Sequence, residues 1–267
     1  MGGETSAAAA VPTPWTDEYV ERHRELVADA LEDPAVGRRF ARGEPLPSGY
    51  GIGFDERVVE YPWLRAAGPE GRALDAGSTL NHAHILDRFL PALDSLTIVT
   101  LAPEPVSFPE RGVSYVYADL RELPLEDDSF EVVISLSTLE HVGMDNSIYG
   151  LGAGRAADPD AELRQAVGEL RRVVAAGGRI LVSVPYGRAE DHGWFRQFAR
   201  DDVDRLVAAF EPREHEIAVF LYTPRGWRRS DLDEAAVATY RDIHNDPTPV
   251  EDLAAAARAV VCISMRA

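Results

Sequence analysis

The chain has 267 residues, 45% apolar and 27% charged, which is the composition of an ordinary globular protein and not of a disordered, collagen-like or coiled-coil one. At about 100–200 residues per domain, that length suits one domain with elaborations. The net charge of −18 works against a nucleic-acid or anionic-membrane partner, and because all 27 basic residues are arginine, lysine Schiff-base chemistry and a GxxxxGK[ST] phosphate loop are excluded.

The single cysteine, Cys262, leaves no intramolecular disulfide and no cysteine-cluster metal site, and its apolar setting in 259–263 reads as a buried core thiol. No run approaches about 18 consecutive apolar residues, so no membrane span is expected. Residues 1–14 lack a basic stretch followed by an apolar one and read as a disordered tail, not a signal peptide; a cytoplasmic protein follows by default.

Residues 15–64 read as N-terminal helices and a flap. Helical spacing runs from Trp15 to Arg42 with a break at Asp33-Pro34, and the Pro/Gly connector 43–50 leads into Gly51 to Arg57. Gly49, Gly51 and Gly53 read poorly as a phosphate loop, since no strand is expected before them and no helix after them. From Arg72 short apolar runs alternate with helical stretches. Ala73 to Gly77 is a strand ending in a turn, Asn81 to Leu93 a helix, and Leu96 to Leu101, Val113 to Tyr117 and Phe130 to Leu136 the second, third and fourth strands. Asp160 to Val174 is an amphipathic helix that Gly177-Gly178 should terminate, and Ile180 to Val184 is the fifth strand. A helix at Asp201 to Phe210 and late strands at Glu216 to Tyr222 and Ala259 to Met265 follow. The expected fold is α/β: a Rossmann-like, doubly wound, mostly parallel seven-stranded sheet with helices on both faces, occupying 65–267, with insertions at 143–159 and 224–249.

In such a sheet, ligands bind outside the carboxyl ends of the strands. Polar groups gather there: Asp75-Ala76-Gly77-Ser78 after the first strand, Asp119-Leu120 after the third, Ser135 to His141 at the end of the fourth, and Pro185 to Arg188 at the end of the fifth.

These segments, in this order, resemble the class I S-adenosylmethionine (SAM)-dependent methyltransferases. Asp75-Ala76-Gly77 resembles their glycine-rich first motif, Asp119 to Phe130 their acidic segment before the fourth strand, Leu139-Glu140-His141-Val142 the stretch after it, and Leu170 to Val184 their helix, Gly-Gly turn and fifth strand. The likeness covers roughly Arg72 to Tyr186. Two departures stand out. Thr79 and Asn81 occupy places where the family has glycines, and the second strand ends in Thr100-Leu101-Ala102-Pro103-Glu104 without the family's ribose-gripping acid.

The resemblance implies SAM as cofactor. Asp75, Ala76, Gly77 and Ser78 would hold its methionine part and Thr100 or Glu104 its ribose; Asp119 would accept from its adenine amino group, Leu120 would pack on the ring, and Ser135 and Ser137 would lie beneath the sulfonium. It also implies transfer to a hydroxyl, less readily to an amine, of a polar small molecule such as a sugar or natural-product intermediate. A hydroxyl must lose a proton as it attacks, which suits a neutral histidine titrating near ~6.5. His141 is the first candidate for that base and His192 the second. Asp145, Asn146, Asp191 and His192 could reach a metal, but they lack a compact ligand spacing, and no metal is assigned. The acceptor pocket is expected from the two insertions, with Trp227, Tyr240 and His244 in the second. A non-catalytic binding protein on the same fold is the alternative, and an NAD-dependent oxidoreductase a weaker one, because Gly77 to His82 fails G-x-G-x-x-G. Neither a nucleic-acid nor a membrane partner is expected, and a homodimer is left open.

Overall fold

The computed structural model describes residues 11–149, 154–246, 248 and 250–267. Most of the expected N-terminal tail, and parts of both expected insertions, lie outside the described residues. Three helices come first: α1 (Asp17–Glu32), α2 (Pro34–Arg42) and α3 (Arg57–Ala67). The Asp33-Pro34 break is real. The Asp33 side chain accepts from Ala35 N–H at 2.7 Å, Pro34 opens α2, and Gly43 closes it at φ +65°.

The sheet strands are β1 (Gly71–Ala76), β2 (Leu93–Thr100), β3 (Val113–Tyr117), β4 (Phe130–Leu136) and β5 (Val174–Pro185). A two-stranded ribbon, β6 (Glu190–Asp191) with β7 (Arg196–Gln197), follows; then come β8 (Glu214–Thr223), β9 (Gly226–Ser230) and β10 (Ala259–Arg266). The helices between them are α4 (Ala83–Phe89), α5 (Pro159–Val173), α6 (Arg200–Phe210) and the short α7 (Leu232–Ala235).

The central sheet has eight strands in the order β3-β2-β1-β4-β5-β10-β8-β9. The first five pair in parallel, whereas β10 runs antiparallel to both β5 and β8. The seven expected strands are therefore joined by an eighth, β9, which forms a hairpin with β8 inside the expected second insertion. The Gly177-Gly178 pair does not cap α5. That helix ends at Val173, and Gly177, at φ +77°, sits within β5 where the register against β4 slips.

Period-two alternation divides the core into two layers. Ala73, Ile98, Ile134, Val260 and Cys262 face the α1, α3 and α4 side with Tyr19, Val59, Leu64 and Ile85. Leu74, Val99, Val133, Val261 and Ile263 face α5 and α6, meeting Leu163, Val167, Leu170, Val203 and Phe210. This three-layer stack fixes the carboxyl ends of β1 to β4 as one rim. No helix among the described residues is long and apolar enough to cross a membrane.

Candidate active site

A cavity of about 650 Å³ opens along that rim, within the usual range for small-molecule sites. Its first half is built by the turns after β1, β2 and β3. Asp75 is fully buried and does not line the cavity; its carboxylate accepts from Leu80 N–H at 2.7 Å and from the Thr79 hydroxyl and N–H at 3.1 and 3.3 Å. It therefore shapes the turn from beneath. Gly77 lines the cavity with φ +128°, and a β-carbon there would lie 2.1 Å from Thr138 Oγ1. Only glycine fits where the β1 and β4 turns close on one another.

The glycines absent at positions 79 and 81 are compensated in an unexpected way. The left-handed residue of the turn is Ser78, at φ +63°, which lies outside the cavity lining. Asn81 does not cap α4. Its Nδ2 donates to Glu104 Oε2 at 2.7 Å and to Val106 O at 2.9 Å, and its Oδ1 accepts from Tyr115 OH at 2.8 Å. The side chain at 81 thus pins the segment after β2 that carries Glu104, and Thr100 and Glu104 both line the cavity.

Asp119 and Leu120, after β3, form the opposite wall beside Val99, Leu101 and Ala118. Arg121 donates to Asp119 from Nε at 2.9 Å and from Nη2 at 2.6 Å, and also pairs with Glu162 on α5. Burial works to raise the Asp119 pKa, but the Arg121 hydrogen bonds outweigh it and hold the carboxyl below its ordinary value. Ser135 and Ala76 stay behind the cavity wall, where the Ser135 hydroxyl donates to Ala76 O at 3.0 Å and braces β4 on β1. Ser137 does line the cavity, and its hydroxyl donates to Glu60 at 2.6 Å.

The second half is walled by His141, Asn146, Trp194, Tyr240 and His244, with Trp15 at the edge. A ring nitrogen of His141, Nδ1, donates to Trp194 O at 3.0 Å, since a carbonyl can only accept. In the neutral ring that bond puts the proton on Nδ1 and the lone pair on Nε2. Burial, only partly offset by the Trp194 bond, lowers the His141 pKa to about 4, so the ring is neutral at pH 7. His192 lies outside the cavity lining. It stacks on Phe195 with ring centres 4.4 Å apart, and its two nitrogens approach Glu190 at 3.3 Å and Asp242 at 3.4 Å. Trp227 is likewise elsewhere, buried with its N–H on Phe54 O at 3.0 Å. Among the described residues no group of three or more His, Cys, Asp or Glu could hold a metal ion.

Inspection of the sequence overlooked the charged floor of this half, supplied by 55–60 at the start of α3. Asp55, Glu56 and Arg57 line the cavity, and Arg57 donates to the fully buried Glu60 at 2.5 Å. Glu60 also accepts from Ser137 and Ser183, each at 2.6 Å, tying α3 to the ends of β4 and β5. The available signal was one acid inside an otherwise apolar run, Val58-Val59-Glu60-Tyr61.

Residues 76–182 match the family described as methyltransferase domain. Over this stretch the chain is similar to a methyltransferase domain. The match starts at the last residue of β1 and ends within β5, and so takes in the β1, β2, β3 and β4 turns that border the cavity. Solved structures similar to this chain include the N-methyltransferase NodS from Bradyrhizobium japonicum in complex with S-adenosylhomocysteine (SAH), at 12% identity, 96% of this chain and 93% of that one, and a TM-score of 0.46. The Burkholderia thailandensis 1,6-didemethyltoxoflavin-N1-methyltransferase shares 16% identity over 97% and 92% of the two chains, with a TM-score of 0.47. A SAM-dependent methyltransferase from Thermotoga maritima, described as a possible histamine N-methyltransferase, shares 13% over 91% and 99%, with a TM-score of 0.48. A search of curated proteins finds no match.

Proposed function

We propose that this chain transfers a methyl group from SAM to a hydroxyl of a polar small molecule, with His141 as general base. The observation that carries this reading is the His141–Trp194 bond: it sets a neutral ring, with its lone pair on Nε2, in the wall of the cavity half away from Gly77 and Asp119.

The first half of the cavity suits SAM. A slot lined by Val99, Leu101, Ala118 and Leu120 fits a flat heteroaromatic ring, Asp119 offers an acceptor at its edge, and Glu104, held by Asn81, offers one for ribose hydroxyls. Gly77 allows close approach to backbone where a side chain would not fit. When bound, SAM supplies a methyl group on a sulfonium, whose C–S bond breaks as the new C–O bond forms, leaving SAH. The chain's own contribution is to position, desolvate and take a proton. Trp15, Trp194 and Tyr240 wall the acceptor half and reduce the water that competes for the methyl. His141 Nε2 accepts the hydroxyl proton as the oxygen attacks. The ties from Glu60 to Arg57, Ser137 and Ser183 keep α3 fixed against the strand ends.

The NAD-dependent alternative meets an obstacle in the fold. Dinucleotide-binding sheets of the 3-2-1-4-5-6 type are parallel throughout, whereas here the antiparallel β10 is inserted beside β5. Incubation with methyl-labelled SAM and a panel of polar hydroxyl and amine compounds tests the proposal. O-methylated product is the expected result. Exclusively N-methylated product would refute the hydroxyl assignment, and SAM binding without transfer to any compound would favour the non-catalytic alternative.

A further inference from the structure

The acceptor half of the cavity has more acids than cations to match them. Among the carboxyls of its floor and wall, Asp55, Glu56, Glu60 and Glu140, two are provided for. Asp55 accepts from Tyr19 OH at 3.0 Å, His23 Nε2 at 2.9 Å and Arg57 N–H at 3.1 Å. Glu60 takes the Arg57 guanidinium and two serine hydroxyls. Glu56 and Glu140 are not so provided. Glu56 is 8% exposed; its carboxyl accepts from Ala257 N–H at 3.2 Å and from its own backbone N–H, and no ion pair to it is found among the described residues. Glu140, in the cavity wall, is 3% exposed, and its Oε2 has no hydrogen-bond partner. Among the described residues the basic group found within 4.0 Å of it is His141 Nε2, 3.9 Å from Oε1, on a ring that is neutral, while Arg57 acts on it only from farther away.

A buried carboxyl oxygen with no donor is costly unless something else supplies one. Burial raises both glutamates, Glu56 to about 8 and Glu140 well above the ordinary range, and Glu56 adds to the rise at Glu140. Burial thus favours the neutral form of each, and a cation beside them would favour the charged form. The walls beside them are the aromatic residues Trp194 and Tyr240, whose faces favour a positive group over a neutral one.

We propose that Glu140 and Glu56 bind a protonated amine of the acceptor, which makes the acceptor an amine-bearing compound methylated on a hydroxyl presented to His141. The ammonium serves as a handle and not as the nucleophile, because its lone pair is occupied by a proton. This inference rests on the methyltransferase reading above and names the acceptor class for that same site.

The test uses the full chain saturated with SAH and a panel of amino sugars and aminocyclitols, each paired with its N-acetylated counterpart, with binding measured by calorimetry. At least one free amine should bind tenfold or more tightly than its N-acetyl partner. In Glu140→Gln that preference should fall to within about threefold, and Glu56→Gln should lower it as well. Affinity for SAH alone should stay within about threefold in both variants, which also shows that they fold and separates failure of this inference from failure of the methyltransferase reading. The inference is overturned if the N-acetyl compounds bind as well as the amines, if no panel member binds, or if the preference survives in both variants. It is also overturned if Glu140→Gln weakens SAM tenfold but not SAH, which would assign the missing cation to the sulfonium.

Discussion

Replacing His141 by alanine should leave SAM affinity within about threefold of wild type and lower kcat by ~10²–10⁴-fold, a barrier increase of roughly 3–5 kcal/mol. The magnitude follows from the ring's surroundings. With its pKa lowered to about 4 by burial, the ring is in its basic form at pH 7, but the same shift weakens it as a base, which places the expected loss toward the lower end of that range. The same shift predicts the shape of the pH profile. An unperturbed histidine would give an inflection near ~6.5, but here turnover should already be flat through pH 6–7 and fall only as pH approaches 4. Initial rates with methyl-labelled SAM, once an acceptor is found, give kcat for both proteins, and calorimetry gives the cofactor affinity. Near-wild-type kcat in the alanine variant, or a wild-type inflection at pH 6.5, would refute the assignment of His141 as base.

Gly77→Ala should weaken SAH binding more than tenfold and destabilise the fold by about 1–3 kcal/mol, since the new β-carbon meets Thr138 at 2.1 Å in a backbone conformation that alanine disfavours; calorimetry and urea unfolding read the two effects, and wild-type values in both would contradict the tight closure. Asp119→Ala should cost SAM about 1.5–3 kcal/mol, or ~10–100-fold in affinity, in a protein that stays folded with Arg121 still on Glu162; undiminished affinity would remove Asp119 from the adenine edge. Acid stability depends on His141 as well. Its folded pKa lies below the unfolded value of ~6.5, so the unfolded chain binds more protons and stability falls as pH drops from 6.5 toward 4, by at most about 3 kcal/mol. The urea midpoint of His141→Gln should be flatter across that window, and an equal slope in both proteins would mean that the ring does not carry the effect.

The parallel strands were legible because a strand buried on both faces is written as a short run of β-branched and aliphatic residues, as in 130–136 and 180–184. The late strand β10 was legible for the same reason, and the more exposed β8 by its run of apolar residues from Ile217 to Tyr222, with bounds off by at most two residues. Helix α3 was not legible. Its apolar residues Val58, Val59, Tyr61 and Trp63 include β-branched and aromatic types, and Pro62 lies inside it, so local propensity argued against the helix that tertiary packing imposes. The charged floor of the cavity was missed with it. The β8–β9 hairpin was hidden because Trp227-Arg228-Arg229 carries two charges on an edge strand. Among the candidate cofactor residues, Gly77, Thr100, Glu104, Asp119, Leu120 and Ser137 line the cavity, whereas Asp75, Ala76, Ser78 and Ser135 lie behind it. A strand-end position in the sequence does not reveal whether a polar side chain turns toward the ligand or back onto its own turn, as Asp75 does toward Thr79 and Leu80.

The most direct test is a calorimetric titration of the full chain with SAH, repeated in Gly77→Ala. One site per chain with micromolar affinity, lost or weakened more than tenfold in the variant, is the result expected if the cavity at the ends of β1 to β4 is the cofactor site. No binding to the folded wild-type protein, or equal binding by both proteins, would contradict it.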